Sequence, residues 1–481
     1  PPEPPNRRRY ASAGACRLLL RPAVDSLTGV GGGDILGGMH INVHRWKELS
    51  EERQRQLLAR SESDIEEIKP AVQTIIDDVS SRGDDALREL SHRYDHADLG
   101  ERPLRVQPEE IAHARDNLDA DLRRALETVV ENAMEFHRRQ LPDPWVNYHT
   151  TGGMLVGERW TPVDSVGLYV PRGRGSFPSM FYMLAAPAIA AEVPRTVVVT
   201  PPLPDGGVDA ACLYAAQLLG LEEIYRVGGA QAIAALALGT ESIAPVIKVL
   251  GPGSRYVAAA KALLASVVDT GTPAGPTESM ILADDSTDAF TCALDLMIEA
   301  EHGSDSSALL VTPSDRLAEE VAAQLREMVP KAPEPRRQFL EDVFSGYGGI
   351  LLCDDLGEGV DIVNRYAPEH LQLRVSDPYA VIPEIRNAGE ILVGRYTPFS
   401  IANYATGANS VLPTGGGART YSPVSVRDFM KVTSVVHLQE DGYRRLEDHV
   451  IRLADYEGFW SHAWALRRRK DPSGSEEHLG A

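Results

Sequence analysis

Short β-branched runs alternate with helical segments from residue 163 to about residue 393, and this alternation constrains the fold more than any other feature. Such a pattern is typical of parallel strands that are joined by helical crossovers and covered by helices on both faces. The predicted strands are 165–170, 196–200, 223–227, 246–250, 279–282, 308–312, 349–353, 370–375 and 390–393. Because these strands form two successive sets, the chain is predicted to contain two α/β units in tandem.

Apolar residues recur at every third or fourth position between these strands and in the N-terminal part of the chain, which indicates amphipathic helices. The predicted helical crossovers are 208–219, 230–238, 256–265 and 317–328. The N-terminal helical region covers 57–94 and 108–140, and an Arg-rich, aromatic segment at 424–469 predicts a small helical appendage. The fold class is therefore α/β, with parallel sheets between a helical N-terminal region and a helical C-terminal appendage.

The formal net charge of −21 over 481 residues argues against sequence-independent binding to nucleic acid or to an anionic membrane, because both need a basic surface. No apolar run approaches the roughly 18 residues that a membrane span needs, and the apolar stretch 180–191 is predicted to be a buried helix. Cys16, Cys212, Cys292 and Cys353 show no spacing typical of a zinc knuckle or a disulfide framework, which predicts a cytoplasmic protein.

The two ends of the chain are predicted to lie outside the fold. Residues 1–38 are rich in Pro, Arg and Gly, and Met39 opens the first periodic segment. Two explanations of this head remain open, an over-extended gene start and an organelle transit peptide, which is typically rich in Arg and poor in acidic residues. Residues 471–481 are polar and predict a tail.

A helical run that ends near residue 302 carries a Glu and a His one turn apart. Residues three apart lie on the same face of a helix, so Glu299 and His302 can reach one metal ion, and Gly303 is well placed to end the helix. On its own, this spacing more often marks a solvated helix end, where the His offsets the helix dipole. The segments 367–370 and 457–462 add further Glu and His residues, and 403–409 adds two Asn, which together indicate a site.

Glycine-rich loops follow several predicted strands, at 171–175, 228–231, 251–254 and 414–417. None contains the Gly-x-Gly-x-x-Gly dinucleotide fingerprint in its strand–turn–helix setting, and tight turns would explain each loop singly. Ligands of open α/β sheets nevertheless bind where strands end, and a helix that begins after such a turn offers free N–H groups to a phosphate.

Six motifs, taken in order, resemble those of the histidinol dehydrogenase family. They are Gly167-Leu-Tyr-Val-Pro, Val227-Gly-Gly-Ala-Gln-Ala-Ile-Ala-Ala-Leu, Pro273-Ala-Gly-Pro-Thr-Glu, Ala300-Glu-His-Gly, Pro368-Glu-His-Leu and Ala418-Arg-Thr-Tyr-Ser. The similarity extends from about residue 163 to residue 462. It implies two incomplete Rossmann-like domains, an intertwined homodimer in which a C-terminal segment completes the partner's active site, and oxidation of a primary alcohol to a carboxylate in two NAD-dependent steps.

The resemblance also implies how the chain divides. The predicted parts are a head at 1–38, an N-terminal helical segment at 39–63, a first Rossmann-like domain at 64–147 with 277–424, a second at 165–272, a small helical domain at 425–470 and a tail at 471–481. The metal and acid–base residues fall in the first Rossmann-like domain and the NAD contacts in the second.

Residue by residue, the resemblance implies a metal centre, an acid–base pair and binding contacts. One zinc ion per site would be held by Glu299, His302, Asn403 and His462, while Glu369 and His370 fall on the acid–base pair. Contacts with NAD are implied for Tyr169, Gln231 and Ser254. Contacts with the substrate are implied for Thr277, Glu299, His302, His370, Asn403, Glu457, His462, Phe399 and Ser410.

Six positions differ from the residues usual in the family: Glu299 replaces a Gln, Asn403 an Asp, Thr277 a Ser, Ser254 an Asn, Phe399 a Glu and Ser410 a His. The first two exchanges compensate each other, since the four ligands still comprise two imidazoles, one carboxylate and one amide oxygen, as zinc or another borderline divalent ion requires. The exchanges at Phe399 and Ser410 remove a carboxylate and an imidazole, and a site built to hydrogen-bond one substrate discriminates against others. The substrate is therefore left open.

The expected mechanism uses His370, as a neutral imidazole near its usual pKa, to take the alcohol proton while hydride leaves for NAD. Glu369 is expected to activate water in the second step. Because neighbouring residues of a strand point to opposite faces, this pair can share a site only if the backbone turns there, and Pro368 favours such a turn.

Three functional hypotheses remain open. The first is histidinol dehydrogenase, the second a relative that oxidises another small polar alcohol such as a sulfonated diol, and the third a non-catalytic scaffold that keeps the fold. The extent of the match supports the first, and Phe399 and Ser410 favour the second over it. The third is disfavoured because Glu369, His370, His302 and His462 are all present. An ordinary aldehyde dehydrogenase is disfavoured, because no cysteine lies in a nucleophile-like setting.

Overall fold

The computed structural model describes residues 39–59, 65–150, 152–172, 175–272 and 275–470. Its strands are β1 Val43–Arg45, β2 Trp145–Thr150, β3 Met154–Pro162, β4 Ser165–Tyr169, β5 Arg195–Val199, β6 Ile224–Tyr225, β7 Val249–Leu250, β8 Glu278–Ala283, β9 Ser307–Thr312, β10 Gly349–Leu352, β11 His370–Arg374, β12 Glu390–Val393 and β13 Met430–Leu438. Its helices are α1 Glu51–Ala59, α2 Ile65–Arg82, α3 Asp84–Leu90, α4 Pro108–Ala112, α5 Ala120–Arg139, α6 Pro178–Ala190, α7 Ala210–Leu219, α8 Gly229–Leu238, α9 Arg255–Leu264, α10 Ala289–Ala300, α11 Asp315–Met328, α12 Arg336–Ser345, α13 Leu356–Tyr366, α14 Pro378–Val381, α15 Phe399–Tyr404, α16 Glu440–Tyr456 and α17 Trp460–Lys470. The predicted head at 1–38 and tail at 471–481 lie outside the described residues.

Two parallel sheets form the centre of the fold. One has six strands in the order β1-β10-β9-β8-β11-β12, and the other has four in the order β6-β5-β4-β7. In each sheet the strand order reverses once, between β8 and β11 and between β4 and β7. The predicted α/β fold class with two tandem parallel-sheet units is therefore confirmed. Strands β4, β8, β9, β10 and β11 are buried along their whole length, which explains their nearly continuous apolar sequences.

A third sheet, which is antiparallel, was not predicted. Strands β2 and β3 form a hairpin around Gly152 and Gly153, both at positive φ, and β13 pairs with β3 along its whole length. The segment 425–470 is therefore not wholly helical, since β13 precedes α16 and α17. The N-terminal segment 39–63 likewise contains β1, the edge strand of the six-stranded sheet. Short or exposed strands bury little apolar surface, so they leave a weak periodic signal in the sequence.

Helices α2 and α5 of the N-terminal region pack against the helices that flank the four-stranded sheet. Helix α2 presents a stripe of Val72, Ile75, Ile76 and Val79 to α8 and α9 on one face, and α5 packs with α6 and α7 on the other. The predicted grouping of 64–147 with 277–424 does not include these contacts. The domain boundaries stay predictions.

The apolar stretch at 180–191 falls mainly in α6, whose residues are buried on nearly every side of the helix. This confirms the predicted buried helix. Among the described residues, no helix combines the length and the apolar character that crossing a membrane demands. Cys212, Cys292 and Cys353 are buried free thiols.

Candidate active site

Three of the four predicted metal ligands and the predicted acid–base pair lie at the amino edge of the six-stranded sheet. Helix α10 runs back along the sheet from β8 and ends beside the starts of β8 and β11, which brings Glu299 and His302 to this edge. Strand β11 begins with His370, whose Cα partners are Ser279 of β8 and Glu390 of β12. These predicted site residues therefore lie at the edge opposite to the carboxyl ends, where ligands of open α/β sheets usually bind.

Three of the four predicted metal ligands converge. Glu299 is 1% exposed, and its Oε1 accepts a hydrogen bond of 2.5 Å from the Nδ2 of Asn403 on α15. Its Oε2 lies 3.3 Å from the Nδ1 of His302. The hydroxyl of Thr277, a predicted substrate contact, lies 3.2 Å from the same nitrogen. A carboxylate, an imidazole and a side-chain amide thus share one small volume.

This cluster fits a divalent cation. The Oδ1 of Asn403 is buried and has no hydrogen-bond partner among the described residues, although it is a good acceptor. A bound cation would satisfy this amide oxygen together with the Glu299 carboxylate and the His302 imidazole, which are ligand types that zinc accepts. The buried carboxyl group of Glu369 interacts with those of Glu278 and Glu299, so a bound cation would stabilise the ionised forms of these groups.

The fourth predicted ligand lies elsewhere in the single chain. His462 is an exposed residue of α17, and the predicted substrate contact Glu457 is exposed at the end of α16. Among the described residues, no group of three or more His, Cys, Asp or Glu side chains could hold a metal ion. One chain alone therefore does not bring His462 to the cluster of Glu299, His302 and Asn403.

Glu369 and His370 share one buried site, as the predicted acid–base pair must. Ala367 adopts the left-handed conformation with φ 55°, and β11 begins only at His370, so Glu369 precedes the regular strand. The Nε2 of His370 lies 3.7 Å from the Oε1 of Glu369, whose Oε2 accepts a hydrogen bond of 2.9 Å from the backbone N–H of Glu278. The turn that Pro368 suggested is present.

Both groups of this pair have displaced pKa values. Burial raises the pKa of Glu369 to about 8, with Glu278 and Glu299 adding to the effect against the attraction of His370. Burial alone would lower the pKa of His370, but the carboxylates of Glu299, Glu369 and Glu390 outweigh it and raise this pKa to about 10. The expectation of an imidazole near its usual pKa is therefore wrong, because three carboxyl groups surround the ring.

Glu390 is a residue that the sequence did not reveal. Its Oε1 accepts a hydrogen bond of 2.5 Å from the Nδ1 of His370. Only the pairing of β11 with β12 brings these two residues side by side, and they are separated by 20 positions in the chain. A Glu at the start of a short strand carries no signal by which it could have been found.

Phe399 and Ser410, whose exchanges were expected to bear most on the substrate, are both in contact with or part of α15. Phe399, at the first residue of α15, is fully buried, and its ring meets the His370 ring edge-on at a centroid distance of 5.9 Å. The hydroxyl of Ser410 donates a hydrogen bond of 3.3 Å to the backbone carbonyl of Ala402. Contacts of Phe399 and Ser410 with a substrate stay predictions.

The predicted NAD contacts lie at the carboxyl edge of the four-stranded sheet, where β4 and β7 meet. The backbone N–H of Gly229, at the start of α8, donates a hydrogen bond of 3.2 Å to the Tyr169 hydroxyl, and burial raises the pKa of this hydroxyl to about 12. Gln231 is buried, and its Nε2 has no hydrogen-bond partner among the described residues. Ser254 is the N-cap residue of α9. Two helix N-termini and an unused amide donor fit a cofactor that carries phosphates.

A second residue missed by the sequence lies next to Tyr169. The Oδ2 of Asp95 is buried without a hydrogen-bond partner among the described residues, and burial raises its pKa to about 6. Asp95 is close enough to Tyr169 and Arg172 for their charges to interact. It ends a turn of π-helix after α3, and nothing in its sequence context marks it as a site residue.

The chain is similar to several known proteins. The family model described as Histidinol dehydrogenase matches residues 58–470. The histidinol dehydrogenase of Synechocystis sp. is 47% identical over 423 residues, which cover 88% of this chain and 98% of the relative. A histidinol dehydrogenase homolog of Rhizobium meliloti is 46% identical over 432 residues, covering 90% of this chain and 95% of the relative. The crystal structure of a histidinol dehydrogenase from Elizabethkingia anophelis matches with a TM-score of 0.85 and 29% identity, covering 91% of this chain and 99% of that one.

Proposed function

The chain belongs to the histidinol dehydrogenase family, whose members are oxidoreductases acting on CH–OH donors, and from this premise we propose its reaction. It is an NAD- and zinc-dependent dehydrogenase that oxidises a primary alcohol, L-histidinol or a related polar alcohol, through an aldehyde to a carboxylate in two hydride transfers. The observation that carries this proposal is the buried Glu369–His370 pair beside the cluster of Glu299, His302 and Asn403.

Glu299, His302 and Asn403, completed by His462, are the residues that would hold the metal. When bound, the cation supplies positive charge that orients the oxygen of the substrate and offsets the carboxylates around His370. The orphaned amide oxygen of Asn403 supports this proposal, because a buried acceptor without a partner is costly.

In the first step His370 accepts the alcohol proton at Nε2, the nitrogen that faces Glu369 rather than Glu390. In the second step Glu369 accepts a proton from the water that attacks the aldehyde. The pKa of Glu369 near 8 suits proton exchange close to neutral pH. NAD, when bound, accepts the hydride released in each step.

Tyr169, Gln231 and Ser254 form the cofactor side of the proposed site, and their support is the unused amide donor of Gln231 beside two helix N-termini. Thr277 belongs to the substrate side, because its hydroxyl reaches the His302 ring. Phe399 and Ser410 would shape this side from behind. The substrate contacts stay proposals.

We further propose that the active protein is a homodimer in which the partner's C-terminal segment brings its copies of His462 and Glu457 to this cluster. Around these positions the chain exposes large apolar side chains, since Tyr456 is 91% exposed and Phe459, Trp460 and Trp464 are also exposed. Trp460 and Trp464 stack at a centroid distance of 5.1 Å and form a flat apolar surface. Exposed apolar surface of this size commonly marks a protein interface.

The proposed compartment is the cytoplasm, where free thiols stay reduced. The buried thiols of Cys212, Cys292 and Cys353 are compatible with it. The proposed partners are a small alcohol, the cofactor and a second copy of the chain. Nucleic acid and membranes are not among them, because the net charge is −21.

The test is to incubate the purified full chain with NAD, zinc and a panel of amino alcohols and diols that includes L-histidinol and a sulfonated diol. The expected result is two NADH per molecule of the best substrate. One NADH per molecule would show that the second oxidation does not take place. If no alcohol is oxidised with any divalent metal, the dehydrogenase proposal fails and a scaffold role remains.

A further inference from the structure

We propose that Glu390 is a positioning residue of this active site, which holds the His370 ring in the one tautomer that leaves Nε2 free to act as a base. The proposal deepens the proposed dehydrogenase function and rests on it for the role of His370. Its observation is independent of that function, because it is a hydrogen bond within the chain.

The two residues are held together by the sheet itself. His370 and Glu390 are Cα partners in the parallel pairing of β11 with β12, so their side chains start from adjacent points at the same edge. The Nδ1 of His370 and the Oε1 of Glu390 are 2.5 Å apart, and the Glu390 side chain is only 11% exposed. Both side chains are nearly buried and each is anchored on a strand. This short contact therefore restricts the orientation of the His370 ring and the rotamer of Glu390 more than a contact on the surface would.

The carboxylate determines where the imidazole proton lies. An ionised carboxylate only accepts hydrogen bonds, so the Nδ1 of His370 must carry the hydrogen that points to Glu390. In the neutral ring, the lone pair then lies on Nε2, which faces Glu369 at 3.7 Å. A His that is fixed by a carboxylate behind it is a recurring arrangement for bases and for metal ligands.

The other neighbours of His370 do not perform this task. The charged side chains that face it are Glu299 from α10, Glu369 ahead of β11 and Glu390 from β12, while α15 contributes the apolar ring of Phe399. Glu299 accepts a hydrogen bond from Asn403, and its other carboxylate oxygen faces His302. Glu369 lies at the opposite nitrogen. Glu390 is thus the carboxylate positioned to orient the ring from Nδ1.

The proton balance follows directly. When the alcohol loses hydride to NAD, its hydroxyl proton passes to the Nε2 of His370, and the ring becomes an imidazolium with both nitrogens protonated. The Glu390 carboxylate keeps its hydrogen bond to Nδ1 and now pairs with a positive ring. The proton on Nε2 leaves to solvent before the next step, so Glu390 itself gains and loses none.

The first experiment compares Glu390→Gln with the wild-type chain. The amide has the same shape but offers Nδ1 a donor or a weaker acceptor. We expect kcat to fall by roughly 10²–10⁴-fold, with KM for the alcohol changed by only a few-fold. The acid limb of the rate–pH profile should also move to lower pH, because the variant removes one of the carboxylates that raise the pKa of His370.

The matched control is Glu384→Gln, an exposed Glu six residues earlier in the chain, which should leave both kcat and the pH profile unchanged. A Glu390→Gln variant that folds and shows the wild-type kcat and the wild-type acid limb would overturn the positioning role. A loss of kcat in which the acid limb does not move would do so as well, because it would indicate a structural effect only.

The second experiment needs no turnover. In the chain without added metal or cofactor, the proton between Nδ1 and the Glu390 carboxylate should give a far-downfield ¹H resonance on a ¹⁵N-labelled histidine. This signal should disappear in His370→Asn and in Glu390→Gln and persist in Glu384→Gln. Its persistence in Glu390→Gln would refute the inference even in an inactive protein. An inactive wild-type chain that shows the signal would instead refute the proposed function alone.

Discussion

The two sheet edges that carry the candidate site differ in the chemical groups that they offer to ligands. At the amino edge of the six-stranded sheet, the ionisable side chains of Glu278, Glu299, Glu369 and His370 are buried together. At the carboxyl edge of the four-stranded sheet, backbone N–H groups and the amide of Gln231 dominate. Buried carboxylates favour a cation, and helix N-termini favour an anion. The comparison therefore supports the proposed division of the site into a metal-and-proton half and a cofactor half.

The largest effect on activity is expected from His370→Asn, at the amino edge of the six-stranded sheet. Removing the base should lower kcat by roughly 10²–10⁴-fold while the affinity for NAD stays within a few-fold, because the cofactor half lies on the other sheet. Steady-state kinetics and a direct NAD binding titration check this. An equal loss of NAD affinity would break the separation of the two halves.

A large loss of stability is expected from Arg374→Met, at the far end of the strand that carries His370. Arg374 and Asp295 form a buried ion pair of 2.7 Å, and the variant leaves the Asp295 charge without its partner. The expected cost is about 3–5 kcal/mol in the free energy of unfolding, measured with denaturant. The matched control is Arg316→Met, which breaks the exposed pairs with Glu320 and Asp285 and should cost within about 0.5 kcal/mol. Equal losses of unfolding free energy in the two variants would show that burying the Arg374–Asp295 pair makes it no more important for stability than an exposed pair.

The metal half can be tested by His302→Ala, which removes one ligand and leaves the acid–base pair in place. Zinc affinity should fall by at least about 10–100-fold, since even residues behind the ligands cost that much when changed. Metal content after dialysis against a graded zinc buffer measures this. Retention of wild-type affinity would show that zinc is bound elsewhere.

The cofactor half can be tested by Gly251→Ala. Gly251 has a φ of 119°, and an added Cβ would lie 2.1 Å from the backbone oxygen of Tyr169. We expect a destabilisation of about 1–3 kcal/mol and a raised KM for NAD, with zinc affinity unchanged. Gly220→Ala is the control, because Gly220 also has a positive φ, of 69°, but an added Cβ there would have no atom within 4 Å. A rise in KM for both variants would mean that strain, and not the contact with Tyr169, controls cofactor binding.

The smallest effect is expected from Asp95→Asn and concerns pH. Burial raises the pKa of Asp95 to about 6 from an ordinary value of 3.8, so ionisation costs more in the folded chain than in the unfolded one. Its destabilising contribution is therefore absent below pH 3.8, grows between pH 3.8 and 6, and is complete above pH 6. Relative to wild type, the melting temperature of Asp95→Asn should rise across that window and stay constant above it. A difference that is independent of pH would argue that Asp95 is already paired.

The sequence allowed the parallel strands other than β1 to be placed to within a few residues, because most of them are buried and have nearly continuous apolar sequences. The predicted 390–393 coincides with β12, and 308–312 misses only the first residue of β9. The hairpin β2–β3 and strand β13 escaped prediction for the opposite reason. β13 is largely exposed, so its side chains are not selected by a core.

The motifs alone marked Glu299, His302, Glu369 and His370, since helical spacing and a Pro-Glu-His triplet are local features. Tertiary structure decided the rest. It brought Glu390 to Nδ1 by strand pairing across 20 residues, placed three carboxyl groups near one imidazole and thereby raised the pKa of His370. It also left His462 exposed on a separate helix. Residue identity determines which chemistry is available, whereas burial and the distances between residues remote in sequence determine the protonation state, and those exist only once the chain is folded.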